Sequence, residues 1–174
     1  MKQTLLIFCG IPFSGKTTLA TKLACDLNYQ RIDLDEIKFE LFGSSIQDDV
    51  IPQSGWDSIY QKMYQMIRET LSQGLGVIHD TGNFTIYERG LISQIAKGLQ
   101  IPIITVFIHT PVEVARNRLL ENRQSKKRFD VTDEAFESSC KEMEIPRNSE
   151  NSLIFDYTTN YAEILTMLKT AIGA

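Results

Sequence analysis

The chain has 174 residues, of which 43% are hydrophobic and 23% charged, and its formal net charge is −4 at pH 7. This length predicts a single domain over residues 1–174, since one core still grows somewhat beyond roughly 150 residues. The composition excludes a fibrous or low-complexity chain, and the acidic balance speaks against a protein that coats nucleic acid.

In chain order, TLLIFCG at 4–10 is a continuous apolar run ending on glycine, the pattern of a strand buried on both faces. A helix over about 16–27 follows, with Leu19, Leu23, Ala24 and Leu27 on one stripe. NYQRI then reads as a second strand ending near Asp33, DEIKFELF as a short helix closed by Gly43, and 43–54 as a loop. Apolar residues from Trp56 to Leu71 keep a helical period, with Ser54 as the expected N-cap. GLGVIHD is a third strand, 86–99 a helix, and 101–108 a fourth strand. The next helix has the best-signed start in the chain: Thr110 as N-cap, Pro111 at the first position and Glu113 completing a capping box. A basic segment, a helix over 132–143, a strand at SLIFDY and a helix over 161–172 end the chain. Strands alternating with helices predict an α/β fold, a doubly wound sheet of five parallel strands.

The longest apolar runs fall short of the ~20 residues that cross a membrane. The amino terminus carries one Lys and no small-residue cleavage site, so a soluble, cytoplasmic protein is expected. Cys9, Cys25 and Cys140 lack metal-ligand spacing and read as buried reduced thiols. No obligate protein partner is predicted.

Between the first strand and helix, GIPFSGKT has the spacing G-x-x-x-x-G-K-T. Gly10 and Gly15 let backbone N–H groups converge on phosphate oxygens, and the helix that starts there adds its positive end. Lys16 is placed for the β- and γ-phosphates and the Thr17 hydroxyl for Mg2+. Gly10, Ser14, Gly15, Lys16, Thr17 and Thr18 are the expected nucleotide-binding residues. Asp80, at the end of the third apolar strand, is the second expected holder of magnesium; its other reading is a turn or cap residue.

No N-K-x-D segment of guanine-specific switches occurs, so ATP is the expected nucleotide. Asp33 and Asp35 flank the end of the second strand. Asp35 is placed to take a proton from an attacking hydroxyl, while one of the two is expected to cap the following helix. Arg116, Arg118, Arg123, Lys126, Lys127 and Arg128 form a basic run that reads as a phosphate clamp or as a solvated face. His79 and His109 end strands and read as hydrogen-bonded core histidines. Trp56, Tyr60 and Tyr64 share one helix face, as core or pocket wall.

In GIPFSGKTTLA, DLDEIK, VIHDTGNFTIYERG and RLLENRQSKKRFDVTDEAFESSCKEMEIP, taken in order, the chain resembles the small P-loop kinases of the AAA_33 group. That group includes polynucleotide 5′-hydroxyl kinase, chloramphenicol phosphotransferase-like and zeta-toxin-like enzymes. The resemblance implies Asp35 as general base, Asp80 and Asn83 near the metal or acceptor, and Arg89 on the helix after the third strand. It also implies an arginine-rich lid at about 118–131, with Arg118, Arg123 and Arg128 on ATP phosphates. Relatives often carry Asp-x-x-Arg where this chain has Asp35 and Lys38; the charge is kept and the bidentate fork is lost. Together these features predict phosphoryl transfer from ATP to a hydroxyl of a small molecule or nucleic-acid end. The alternatives are an acceptor-free nucleotide-binding or ATPase module and a toxin-like nucleotide-sugar kinase.

Overall fold

The computed structural model describes residues 2–44, 46–126 and 128–173. Strands β1 (Leu5–Cys9), β2 (Gln30–Asp33), β3 (Val77–Asp80), β4 (Ile103–His109) and β5 (Ser152–Asp156) form one sheet in the order β2-β3-β1-β4-β5, and every pairing is parallel. The helices are α1 (Lys16–Leu27), α2 (Leu34–Phe42), α3 (Gln53–Ser72), α4 (Ile86–Gly98), α5 (Val112–Ser125), α6 (Asp133–Glu142) and α7 (Tyr161–Ile172).

The period of two in β1 sorts the layers. Leu6 and Phe8 face α1 and α7, packing with Leu23, Leu27, Ile164 and Leu168. Leu5 and Ile7 face the other side, with Ile59, Met63 and Ile67 of α3 and Ile92 and Ala96 of α4. All five β1 residues are buried, which is why the strand reads as an unbroken apolar run. Each such Leu, Ile or Phe contributes about 1.5–3 kcal/mol by leaving water. A third cluster of Ile11, Ala115, Leu119 and Phe136 seats α5 and α6 over the loop after β1.

Several helix starts differ from expectation. α3 begins at Gln53 with Pro52 in the extended cap position, so Ser54 lies in its first turn rather than capping it. Gly55 lies in the same turn: a Cβ there would lie 2.8 Å from Ile51 Cγ2 and 3.1 Å from Phe42 Cζ, so the turn docks by close backbone approach. Thr110 is not the cap of α5, whose N-cap is Pro111 without a side-chain hydrogen bond. Its hydroxyl donates to the Ser14 carbonyl at 3.0 Å instead, tying the end of β4 to the phosphate loop. The reciprocal capping box belongs to α4, between Thr85 and Glu88.

The expected loop at 43–54 contains a 3-10 turn, Asp48–Val50. Of the three cysteines, Cys9 is buried, Cys25 is exposed and Cys140 is half-buried, correcting the expectation for the last two. His109 is exposed at the end of β4, not a core residue. Among the described residues no helix is long and apolar enough to cross a membrane.

Candidate active site

The site lies at the carboxyl ends of β1, β2 and β3, where an open α/β sheet presents its loops. β1 runs into Gly10 at φ 146°, where a Cβ would meet the Ile108 carbonyl oxygen at 3.0 Å and Ser14 Oγ at 3.1 Å. The turn therefore closes on glycine alone. Gly15, at φ 104°, caps α1 with no side-chain hydrogen bond, so the first-turn N–H groups and the positive helix end face the cavity.

Lys16 Nζ curls over this loop, donating to the carbonyls of Gly10 at 2.6 Å and Ile11 at 2.8 Å. Burial pushes its ammonium down to about 8, against the upward pull of the Asp80 charge. A phosphate would replace weak carbonyl partners with full negative charge.

Asp80 ends β3 beside the loop. Thr17 Oγ1 donates to its Oδ1 at 3.5 Å, while Arg31 Nη1 holds its Oδ2 at 2.8 Å. Burial raises the Asp80 carboxyl, the neighbouring Asp33 charge raises it further, and the Arg31 guanidinium opposes both. Arg31 also bonds Asp33 at 2.5 Å and pairs with Glu36. A hydroxyl and a carboxylate oxygen this close suit Mg2+, which takes hard oxygen ligands and keeps waters and substrate phosphates for the rest. No cluster of three or more His, Cys, Asp or Glu that would hold a metal alone exists among the described residues.

Asp33 is the cap of α2, accepting from Asp35 N at 2.8 Å. That leaves Asp35 exposed, with its carboxylate toward the cavity and Lys38 Nζ at 2.9 Å. Lys38 is buried. Its ammonium also bonds Asp48 at 2.8 Å and lies 4.9 Å and 4.6 Å from the ring centres of Phe39 and Phe129. Burial alone would lower Lys38; the bonds to Asp48 and Asp35 outweigh it and hold the group above its ordinary value.

Asn83 and Arg89 are committed elsewhere. Asn83, at φ 46°, donates to the Phe8 carbonyl at 2.6 Å and to His79 Nδ1 at 3.1 Å. His79 therefore carries its proton on Nε2, 3.1 Å from Met63 Sδ, and complete burial pushes its pKa down to about 3. Arg89 is buried, bonding Glu150 at 2.7 and 3.2 Å and the carbonyls of Asn83 and Phe84 at 2.8 and 3.1 Å. It braces the loop after β3 instead of reaching an acceptor.

The arginines of the basic run divide. Arg118 donates to the Phe13 and Ser14 carbonyls, both at 3.1 Å, and lies over the Tyr157 ring at 5.7 Å. Arg128 reaches back to Thr18 Oγ1 at 2.7 Å. Arg123, expected on phosphate, is spent on Asp130, Asp133 and the Val131 carbonyl, and Arg116 pairs with Glu137. Lys127 lies outside the described residues.

Two cavities meet at the loop. One, of about 660 Å³, runs between Gly15, Thr18, Arg118 and the turn Asp156–Thr159 after β5. The other, of about 1390 Å³, joins Lys16, Thr17, Asp80 and Asp35 to the face of α3 that carries Trp56, Tyr60 and Tyr64. Arg31 and Tyr157 were not anticipated. The signal for Arg31 was its spacing of two from Asp33 on one strand face; for Tyr157, its place just after a strand's carboxyl end.

A parallel sheet in this order, with the glycine-lysine loop between β1 and α1, is the fold of the P-loop kinases. The chain belongs to the AAA_33 family, described as an AAA domain, whose model matches residues 5–146. It is 26% identical over 116 residues to a shikimate kinase of Clostridium botulinum, covering 67% of this chain and 65% of that enzyme, so the match spans less than two thirds of the relative's length. Kti12 of Chaetomium thermophilum, solved with ADP-AlF3, shares the fold at a TM-score of 0.76 and 18% identity, over 98% of this chain and 100% of that one. The APS kinase CysC of Mycobacterium tuberculosis, solved with AMPPNP and APS, does so at 0.69 and 14%, over 99% of both chains.

Proposed function

We propose that the protein is an ATP-dependent kinase that moves the γ-phosphoryl group to a hydroxyl of a small molecule or nucleic-acid end, with magnesium as cofactor. The observation that carries this reading is that Lys16, Thr17, Asp80 and the exposed carboxylate of Asp35 line one cavity. Relatives named for shikimate and APS phosphorylation support it, as does a nucleotide on the same fold in two solved neighbours.

In this mechanism ATP lies across the loop, with its base in the smaller cavity beside Arg118 and Tyr157. The N–H groups of α1 and the Lys16 ammonium hold the β- and γ-phosphates. Thr17 and Asp80 would hold magnesium, which supplies neutralising charge at the phosphate oxygens. Asp35 accepts the hydroxyl proton of the acceptor as its oxygen attacks the γ-phosphorus in line, the bond to the β–γ bridging oxygen breaks and ADP leaves; Lys38 fixes the rotamer of the Asp35 carboxylate. Arg118 and Arg128 neutralise charge that builds on the transferring group.

The test is γ-labelled ATP with a panel of hydroxyl acceptors, comparing wild type with Asp35→Asn. Acceptor-dependent label transfer is expected to fall by about 10²-fold or more in the variant. Magnesium-ATP is expected to raise the melting temperature of both proteins alike. Label released only as inorganic phosphate, whatever the acceptor, would identify a nucleotide-hydrolysing module and refute the kinase.

A further inference from the structure

The acceptor end of the larger cavity has a consistent chemistry. Its wall is the aromatic face of α3, where Trp56, Tyr60 and Tyr64 follow at helical spacing with ring centres 6.2 Å apart at each step. Tyr87 faces the same space. Such a surface takes a flat or apolar body.

Charge in the cavity is unbalanced. Nine carboxylates line it against three cations among the described residues. Two of those cations, Lys16 and Arg128, belong to the phosphate end, bonded to the loop and to Thr18. The third, Lys38, is buried between Asp35 and Asp48 and spent on them. At the acceptor end Asp49, Asp57 and Glu88 have no cationic partner among the described residues. The phenols register this field: burial raises Tyr60, and the Glu88 and Asp48 charges raise it further; burial raises Tyr64, and Glu88 adds to it.

At the acceptor end an anion would meet like charge, with no guanidinium or free ammonium among the described residues there to receive it, whereas a cation would be drawn to the carboxylates and to the ring faces. We infer that the acceptor is a positively charged, amino-bearing hydroxyl compound with an apolar or aromatic body, not a carboxylate, sulfate or phosphate such as a nucleic-acid end. This inference rests on the kinase reading for its hydroxyl, while the charge selectivity stands on the cavity itself.

Trp56 is the chain's one tryptophan and stands in the wall, so its fluorescence reports occupancy without any turnover. The probes are three aryl alcohols of one shape: phenylalaninol as cation, 3-phenylpropan-1-ol as neutral and 3-phenyllactate as anion. Each is titrated against the full chain at millimolar concentration with and without magnesium-ATP, and ADP release is followed in parallel. Phenylalaninol is expected to bind about tenfold or more tighter than 3-phenyllactate, with the neutral alcohol between them and the gap narrowing at high salt. Asp57→Lys, at an exposed position, is expected to shrink that gap at least about threefold. Equal affinities, preference for the anion, or no Trp56 response to any probe would overturn the inference. A cation preference without ADP release would leave the charge selectivity standing and count against the kinase reading alone. ADP release with an anion preference would do the reverse.

Discussion

Asp33 and Asp80 are register partners at the ends of β2 and β3, and the single guanidinium of Arg31 bonds both, at 2.5 and 2.8 Å. Two carboxylates at the end of a sheet repel unless a cation divides their charge. Removing Arg31 leaves that repulsion in a largely buried place. Arg31→Met is expected to cost about 3 kcal/mol in urea denaturation at neutral pH. It also lets the Asp80 carboxyl rise further, so the acid limb of the pH profile of kcat/KM is expected to move to higher pH.

Lys16 titrates near 8 in the free protein because burial disfavours its charge. Phosphate favours the charged form, so the bound pKa lies higher and binding takes up protons in the window between the two. ATP affinity is expected to be flat below about pH 7 and to weaken as pH rises through 8. Calorimetry in two buffers of different ionisation enthalpy should report about half a proton taken up at pH 8. Lys16→Met is expected to lose the uptake along with nucleotide-induced thermal stabilisation.

His79 is neutral in the fold with a pKa near 3, against an ordinary value of 6.5. The unfolded chain therefore binds a proton that the folded chain refuses, and stability falls as pH drops below 6.5. Between pH 7 and pH 5 this one group is expected to remove about 2 kcal/mol. His79→Gln, whatever its cost at pH 7, should show a correspondingly shallower loss in denaturation series at the two pH values.

Arg118 and Arg123 are one and a half helical turns apart in α5 but serve different ends. Arg118 touches the loop carbonyls and Tyr157, whereas Arg123 is held by Asp130 and Asp133. Arg118→Ala is expected to weaken ATP binding about tenfold. Arg123→Ala should leave ATP affinity within about twofold and speed hydrogen exchange in the turn between α5 and α6.

Much of the fold was legible because its signals are local. The apolar run of β1 and the glycines of the phosphate loop each carry their cause within a few residues. Thr110 misled for an instructive reason: a threonine before proline and glutamate satisfies the capping pattern, yet its hydroxyl found a stronger use across 96 positions of sequence, on Ser14. The same limit governs the site. Asp35 faces the cavity, paired with Lys38, because Asp33 is the cap, a choice between two carboxylates that only the turn geometry makes. Arg89 reads as an acceptor contact and Arg123 as a phosphate ligand, and acids distant in sequence or folded back from the next helix pair with them. The spacing of Arg31 from Asp33 hints at one of its bonds only; the other depends on Asp80 arriving alongside from 49 residues away.

The three rings on α3 also set a scale. Each step of four residues climbs about 6 Å along the helix axis, and the contact of Met63 with His79 places the lower end level with the tip of β3. Trp56 therefore stands about two turns further out, toward the mouth. The wall is graduated like a depth gauge: trimming Trp56, then Tyr60, shortens the stacked surface in equal increments while the sheet and the phosphate loop stay untouched. Under the proposed kinase function, the length of acceptor that the wall takes is thus adjustable separately from the phosphate site, along one helix face.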